Sequence, residues 1–225
     1  MYNGKKILAF IPARWGSKGI PHKNFRKIKG KPLFMHSVDY AFSSKYVDDV
    51  LVSSDSQEIL DMAHANGCVK NALRPDYLAS DTARNIDVML WELENCPKKY
   101  DAIIQLQPTY PIRPVGELDK MIEKYFETET SLMTVVPVPA KPEFLRRIKD
   151  GKLHKIMNST SEIRRQNFSQ YYQLVGSVHV NNVHTLNSNV ILNEGEIPYV
   201  IDQSYALDID TPSDWSELEK RFQAE

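Results

Sequence analysis

An α/β fold, with helices on both faces of a mostly parallel sheet, is what the sequence predicts. Three observations carry that expectation. Strand-like apolar runs alternate with segments whose apolar residues recur at helical spacing. The runs at 7–11 (ILAFI) and 101–107 (DAIIQLQ) are apolar almost throughout, as central parallel strands tend to be. The chain has 225 residues, long for one domain and short for two, which favours one α/β domain over residues 1–225.

Each element has its own signal. Strands are expected at 7–11, 49–54 (DVLVSS), 101–107, 131–138 (SLMTVVPV) and 177–183 (SVHVNNV), all rich in β-branched residues. Helices are expected at 32–45, 56–66, 85–95 and 116–127, where apolar residues fall three and four apart. The second of these stops at Gly67, a residue suited to ending helices. Near the C-terminus, Thr211, Pro212 and Asp214 read as an N-cap, a first-turn proline and a capping-box acid, with Trp215, Leu218 and Phe222 as the apolar face behind them. Residues 139–174 break the alternation. They are polar and charged, and the KDG before Lys152 and Leu153 marks a hairpin turn, so a lid or dimer arm is expected there.

Composition narrows the function. Hydrophobic residues make up 42%, enough for a core, and no apolar run approaches the roughly 20 residues of a membrane span. ILAFI is too short for a signal sequence, and Pro12 and Arg14 interrupt it. Cys68 and Cys96 give neither a disulfide framework nor a metal pattern, so a cytoplasmic protein is expected. The net charge is only −1, yet no acid precedes Asp39, while Lys5, Lys6, Arg14, Lys18, Lys23, Arg26, Lys27, Lys29 and Lys31 all do. Nothing elsewhere supplies a basic stripe or aromatic platform for nucleic acid, so a small polyanion at one site is the expected partner.

The loop 12–24 leaves the first strand at its carboxyl end, where open α/β sheets bind ligands. Gly16 and Gly19 allow close backbone approach and positive φ, and Lys and Arg beside backbone N–H groups make a cradle for phosphates. The spacing is neither a Walker A loop nor G-x-G-x-x-G. At the other end, Asp208 and Asp210 alternate with Leu207 and Ile209, so both carboxylates share one face of an extended segment. Two hard oxygens so placed, with waters and phosphate oxygens, suit Mg²⁺. His22, His36, His64, His154, His179 and His184 show no metal spacing. Neither Ser17 nor either cysteine has a visible base partner, so covalent catalysis is not expected.

IPARWGSKGIPHKNFRKIKGKPL, VLVSSDSQEI, RPDYLASDTA, LQPTYPIR, IRRQ and LDIDTPSDW, in that order, resemble the motif set of the acylneuraminate cytidylyltransferases, the CMP-sugar synthetases, over nearly the whole chain. The resemblance implies a Rossmann-like, three-layer α/β/α nucleotidyltransferase fold of the GT-A-like kind, with a mostly parallel mixed sheet and a homodimer contacted through 139–174. It implies transfer of CMP from CTP to the anomeric hydroxyl of a nine-carbon acidic sugar, with Mg²⁺ and release of pyrophosphate. The alternatives are a relative acting on the eight-carbon sugar Kdo, or a non-catalytic nucleotide-binding regulator.

Residue by residue, the resemblance places Arg14 and Lys23 on the phosphates, Ser17 and Lys18 as donors beside them, and Asn24, Arg74 and Asn85 on the cytidine. Gln107, Arg165 and His179 fall on the sugar side, and Asp208 and Asp210 on the metal. Arg14, Lys23, Asp208 and Asp210 would carry the catalysis. Asp81 is expected to cap a nearby helix. The family's LQPTSPLR becomes LQPTYPIR, and its Asn-Gly-Ala-Ile-Tyr-Ile becomes VGSVHVN, with Val175 for asparagine and His179 for tyrosine. The chemistry survives those changes, whereas the identity of the sugar is left open. His179 could equally be a packed core histidine.

Overall fold

The first strand, β1 (Ile7–Pro12), lies between β4 (Asp49–Ser53) and β5 (Ala102–Gln105) and runs parallel to both. In the computed structural model, which describes residues 1–138, 145–156, 170–190 and 194–223, these three strands form one side of a six-stranded sheet. Next come β9 (Tyr171–Asn182), β6 (Leu132–Val138) and the edge strand β10 (Ile197–Val200), giving the order β10-β6-β9-β5-β1-β4. Only β9 runs antiparallel to its neighbours, so the sheet is mixed and mostly parallel, as expected. Two short pairs stand apart: β2 (Lys27–Ile28) with β3 (Lys31–Pro32), and β7 (Arg146–Lys149) with β8 (Lys152–Lys155).

Alternation along the strands feeds two cores. Ile7, Ala9 and Ile11 face one side, where α1 (Leu33–Phe42), α2 (Gln57–Ala65) and α5 (Glu117–Thr128) cover them through Phe34, Val38, Ile59, Leu118, Met121 and Ile122. Leu8, Phe10, Leu51 and Ile103 face the other side, beneath α4 (Asn85–Asn95) and the single turn α3 (Asp76–Ala79). Each large apolar side chain so buried contributes about 1.5–3 kcal/mol relative to exposure. A third cluster joins Ile20, Ile28, Leu33 and Ile209 to Trp215 and Leu218 of α6 (Pro212–Gln223). It fastens the basic loop to the C-terminal segment.

Local chemistry explains the ends of these elements. Thr211 N donates to Asp214 Oδ2 at 2.7 Å and Asp214 N to Thr211 Oγ1 at 3.3 Å, the reciprocal capping box expected at the start of α6. Asp150 and Gly151 both take positive φ, as a two-residue turn between β7 and β8 demands. Gly67, at φ +90, follows α2 as expected. The edge strand β10 gave no sequence signal because Pro198 interrupts its pattern, and an edge tolerates a proline that a central strand would not. The strand read at 177–183 begins six residues earlier, and its register against β6 shifts between Met133 and Val135. Thr134 fills that irregularity, its hydroxyl donating to the Val175 and Val178 carbonyls and accepting from Val178 N. No helix among the described residues is long and apolar enough to cross a membrane.

Candidate active site

At the carboxyl ends of β1, β4 and β5 lies a cleft of about 270 Å³. Its lining includes Arg14, Ser17, Lys23, Asn24, Arg74, Asn85 and Gln107, seven residues singled out from the sequence. The loop after β1 is anchored where it starts: Ala13 N donates to Ser53 O and Trp15 N to Asp55 Oδ1. Asn24 Nδ2 donates back to Arg14 O at 2.9 Å, which closes the loop on itself.

The two glycines act differently from expectation. Neither takes a positive φ. A Cβ on Gly16 would meet nothing within 4 Å, whereas one on Gly19 would lie 2.0 Å from the Asp210 carbonyl oxygen. Gly19 therefore permits close approach to the chain's own acidic segment rather than to a ligand. Lys23 secures the same junction. Its ammonium, on a residue only 8% exposed, donates to Ile209 O at 2.6 Å and to Asp210 Oδ1 at 2.7 Å. The basic loop and the acid pair thus meet at one rim.

Asp208 lies deeper than Asp210. Tyr110 Oη donates to its Oδ2 at 3.0 Å. Its Oδ1 is buried and has no hydrogen-bond partner among the described residues. Burial, with the Asp210 charge adding to it, pushes the Asp208 carboxyl above its usual range. An ionised carboxylate with an open buried oxygen, beside a second carboxylate, is a donor set for a hard cation. No group of three or more His, Cys, Asp or Glu able to hold a metal occurs among the described residues, so any such ion would draw its remaining ligands from elsewhere.

Asp81 does not cap a helix. The residue before α4 is Arg84, and no side chain caps that helix. Instead Asp81 bridges the basic loop, with Oδ1 2.8 Å from Arg14 Nη1 and Oδ2 2.7 Å from Lys18 Nζ. Hydrogen bonds from Lys18 and then Arg14 hold its carboxyl below the usual range. Arg74 makes no ion pair among the described residues, although the charges of Glu92 and Asp55 reach it. It is buried, with Nε donating to Ser53 Oγ and Nη2 to Ser53 O, and burial pushes its guanidinium down to about 10.

On the other side, Gln107 abuts β9. A Cβ on Gly176 would fall 2.7 Å from the Gln107 side-chain carbon, so only glycine leaves room for that amide. Arg113, which drew no expectation, is buried and ties the segment after β5 to β9 and α1. Its Nε donates to Ser177 O, Nη1 to Ser37 Oγ and Nη2 to Gln107 O. His179 is not part of the cleft lining. It is buried in β9 opposite Gln105, with Nε2 2.9 Å from the Glu196 carboxylate. Arg165 lies outside the described residues.

Residues 8–220 match the family model described as Cytidylyltransferase. The chain is 34% identical, over 96% of its own length and 95% of the relative's, to a CMP-N,N'-diacetyllegionaminic acid synthase of Legionella pneumophila. It is 28% identical, over 93% of its length and 50% of the relative's, to an N-acylneuraminate cytidylyltransferase of Escherichia coli. Among solved structures, a CMP-2-keto-3-deoxy-manno-octonic acid synthetase complexed with CTP shares its fold, with a TM-score of 0.73 at 16% identity over 97% of this chain and 99% of that one. These likenesses agree with the nucleotidyltransferase fold expected from the motifs.

Proposed function

Because this chain belongs to the cytidylyltransferase family, we propose that it transfers CMP from CTP to the anomeric hydroxyl of a nine-carbon acidic sugar and releases pyrophosphate. The observation that carries the reading is the junction of Lys23, which lines the cleft, with Asp210 just beyond that lining. It sets cationic and anionic groups side by side, as a triphosphate accompanied by a cation requires. The legionaminic and acylneuraminic relatives support a nine-carbon acceptor. An eight-carbon Kdo acceptor has only the likeness in fold behind it.

In this reading Arg14, Lys18 and Lys23 neutralise the triphosphate, with Ser17 supplying a donor from the same loop. Asn24, Arg74 and Asn85 hold the cytidine. Gln107 and Arg165 are assigned to the sugar, while His179, paired with Glu196, lies outside the cleft lining. Asp208 and Asp210 would hold Mg²⁺, with the open Asp208 Oδ1 as the oxygen best placed to take it. When bound, the ion would supply charge neutralisation on the phosphate oxygens. The chain's own contribution is positioning: it brings the sugar hydroxyl in line with the α-phosphorus and excludes water from that approach.

Residues 1–225 are proposed to act as one cytoplasmic catalytic unit that pairs with a second copy through the 139–174 excursion. The β7–β8 hairpin supports the pairing. Ile148 and Leu153 face each other across it and are 74% and 72% exposed, and a lone two-stranded hairpin is marginal in water until another surface covers it. Column sizing should give a dimer.

Two substitutions probe the nucleotide end. Lys23→Ala should raise the KM for CTP by about 10–100-fold, the loss expected for hydrogen bonds to a charged group, and move the KM for the sugar by less than about twofold. Equal rises in steady-state assays would remove Lys23 from the nucleotide side. Asp81→Asn acts in the opposite direction. With the carboxylate gone, Arg14 and Lys18 need not leave a partner to meet phosphate, so the Kd for CTP should fall by about two- to fivefold. Calorimetric titration showing weaker binding would mean that Asp81 aims Arg14 rather than competing for it.

Pyrophosphate release from CTP with a panel of nonulosonic acids tests the whole reading, with UTP, ATP and GTP in parallel. CTP-dependent release with at least one acid is expected. Release with none, or equal release with UTP, would overturn it.

A further inference from the structure

We propose that Tyr110 is a positioning residue that fixes the carboxylate of Asp208 and ties it to β9 at Gly176, joining the metal-holding end of the cleft to its sugar end. The inference rests on the functional reading above. It takes one residue that reading leaves without a role.

Tyr110 closes the turn after β5, with its backbone N donating to Gln107 O at 3.1 Å. Its ring packs in the larger core cluster, and the residue is only 7% exposed. The hydroxyl donates to Asp208 Oδ2 at 3.0 Å, and the backbone of Gly176 lies beside that same hydroxyl. A tyrosine hydroxyl has one proton to donate, and here the Asp208 carboxylate takes it. The bond to Oδ2 stops the carboxylate from turning and leaves Oδ1 as its free face. At the other end, Gly176 lies against the side-chain amide of Gln107. The path Asp208–Tyr110–Gly176–Gln107 therefore runs through direct contacts between the two halves of the cleft.

Partners that orient a metal-holding carboxylate commonly change metal affinity by 10–100-fold when removed, without touching the ion.

Tyr110→Phe in the full-length chain tests this, because it deletes one oxygen and keeps the ring. Mn²⁺ is the probe, titrated by electron paramagnetic resonance with CTP present and no sugar. The variant should bind Mn²⁺ about tenfold more weakly than wild type. Its KM for the sugar should rise severalfold at saturating metal, while its KM for CTP moves less than about twofold. Unchanged Mn²⁺ affinity, or a change in melting temperature alone, would mean that the hydroxyl only satisfies buried groups, and the proposal would be overturned. Failure of the functional reading would show separately, as wild-type protein that turns over no acidic sugar. The Mn²⁺ comparison would then still decide whether Tyr110 positions Asp208.

Discussion

Asp208→Asn should lower kcat by about 10³ or more while leaving the folded protein as stable as wild type, or more so. The two effects have one cause. Burial raises the Asp208 carboxyl's affinity for its proton, and the nearby Asp210 charge adds to the effect. A carboxyl whose folded pKa is raised binds its proton more tightly folded than unfolded. Its ionisation therefore subtracts stability as pH rises through that range, and near neutrality the folded chain bears the cost. Asparagine has no charge to bury and can still accept from Tyr110, so the cost disappears. The group that would hold a cation disappears with it. Asp210→Asn should also abolish turnover, but it takes a partner from Lys23 and so should gain no stability. Pyrophosphate release across a range of Mg²⁺ concentrations, with thermal melts alongside, separates the cases. Asp208→Asn turnover within tenfold of wild type would remove Asp208 from the site.

The fold was legible in the sequence where burial dictates composition. Ile7, Ala9 and Ile11 against Leu8 and Phe10 announce a strand covered on both faces, and the helices at 85–95 and 116–127 lie within a residue of their expected bounds. Elements held by partners rather than pattern were not legible. Strand β10 exists because β6 offers it an edge. The site divides in the same way. Arg14, Lys23 and Asn24 stand out because charge concentrates on one glycine-bearing loop, and Asp208 and Asp210 because their spacing puts them on one face. Asp81 was misread as a cap, since an acid a few residues before a helix has that local use. Its actual partners, Arg14 and Lys18, are more than sixty residues away. The roles of Tyr110 and Arg113 come from contacts with residues 208 and 177, and local spacing carries no trace of either.

Arg113→Ala should cost about 3–5 kcal/mol of folding stability, a large share of the roughly 5–15 kcal/mol that holds a typical domain together. The guanidinium is fully enclosed, and burial pushes its pKa down to about 10 with no carboxylate pairing with it among the described residues. What compensates it is a set of dipoles: the Ser177 and Gln107 carbonyls, the Ser37 hydroxyl and the face of the Tyr40 ring 5.4 Å away. Truncation takes the Arg113 donor from Ser177 O and the Ser37 hydroxyl, each worth about 1–3 kcal/mol, leaves Gln107 O with only the Tyr110 N–H, and opens a cavity. Relief of the buried charge offsets part of that sum, which keeps the total below a simple addition. Arg113→Met separates the contributions. Methionine refills much of the volume but donates nothing, so if the unsatisfied acceptors dominate it should cost nearly as much as alanine in urea unfolding. A methionine variant as stable as wild type would show that Arg113 is retained at a net cost. The same contacts set the functional consequence. Gln107, just past β5, and Ser177, in β9, flank the contact at Gly176, so loosening them should lower kcat/KM for the sugar more than it raises the KM for CTP. A rise confined to CTP would place the buried charge with the triphosphate and not with the strands it joins.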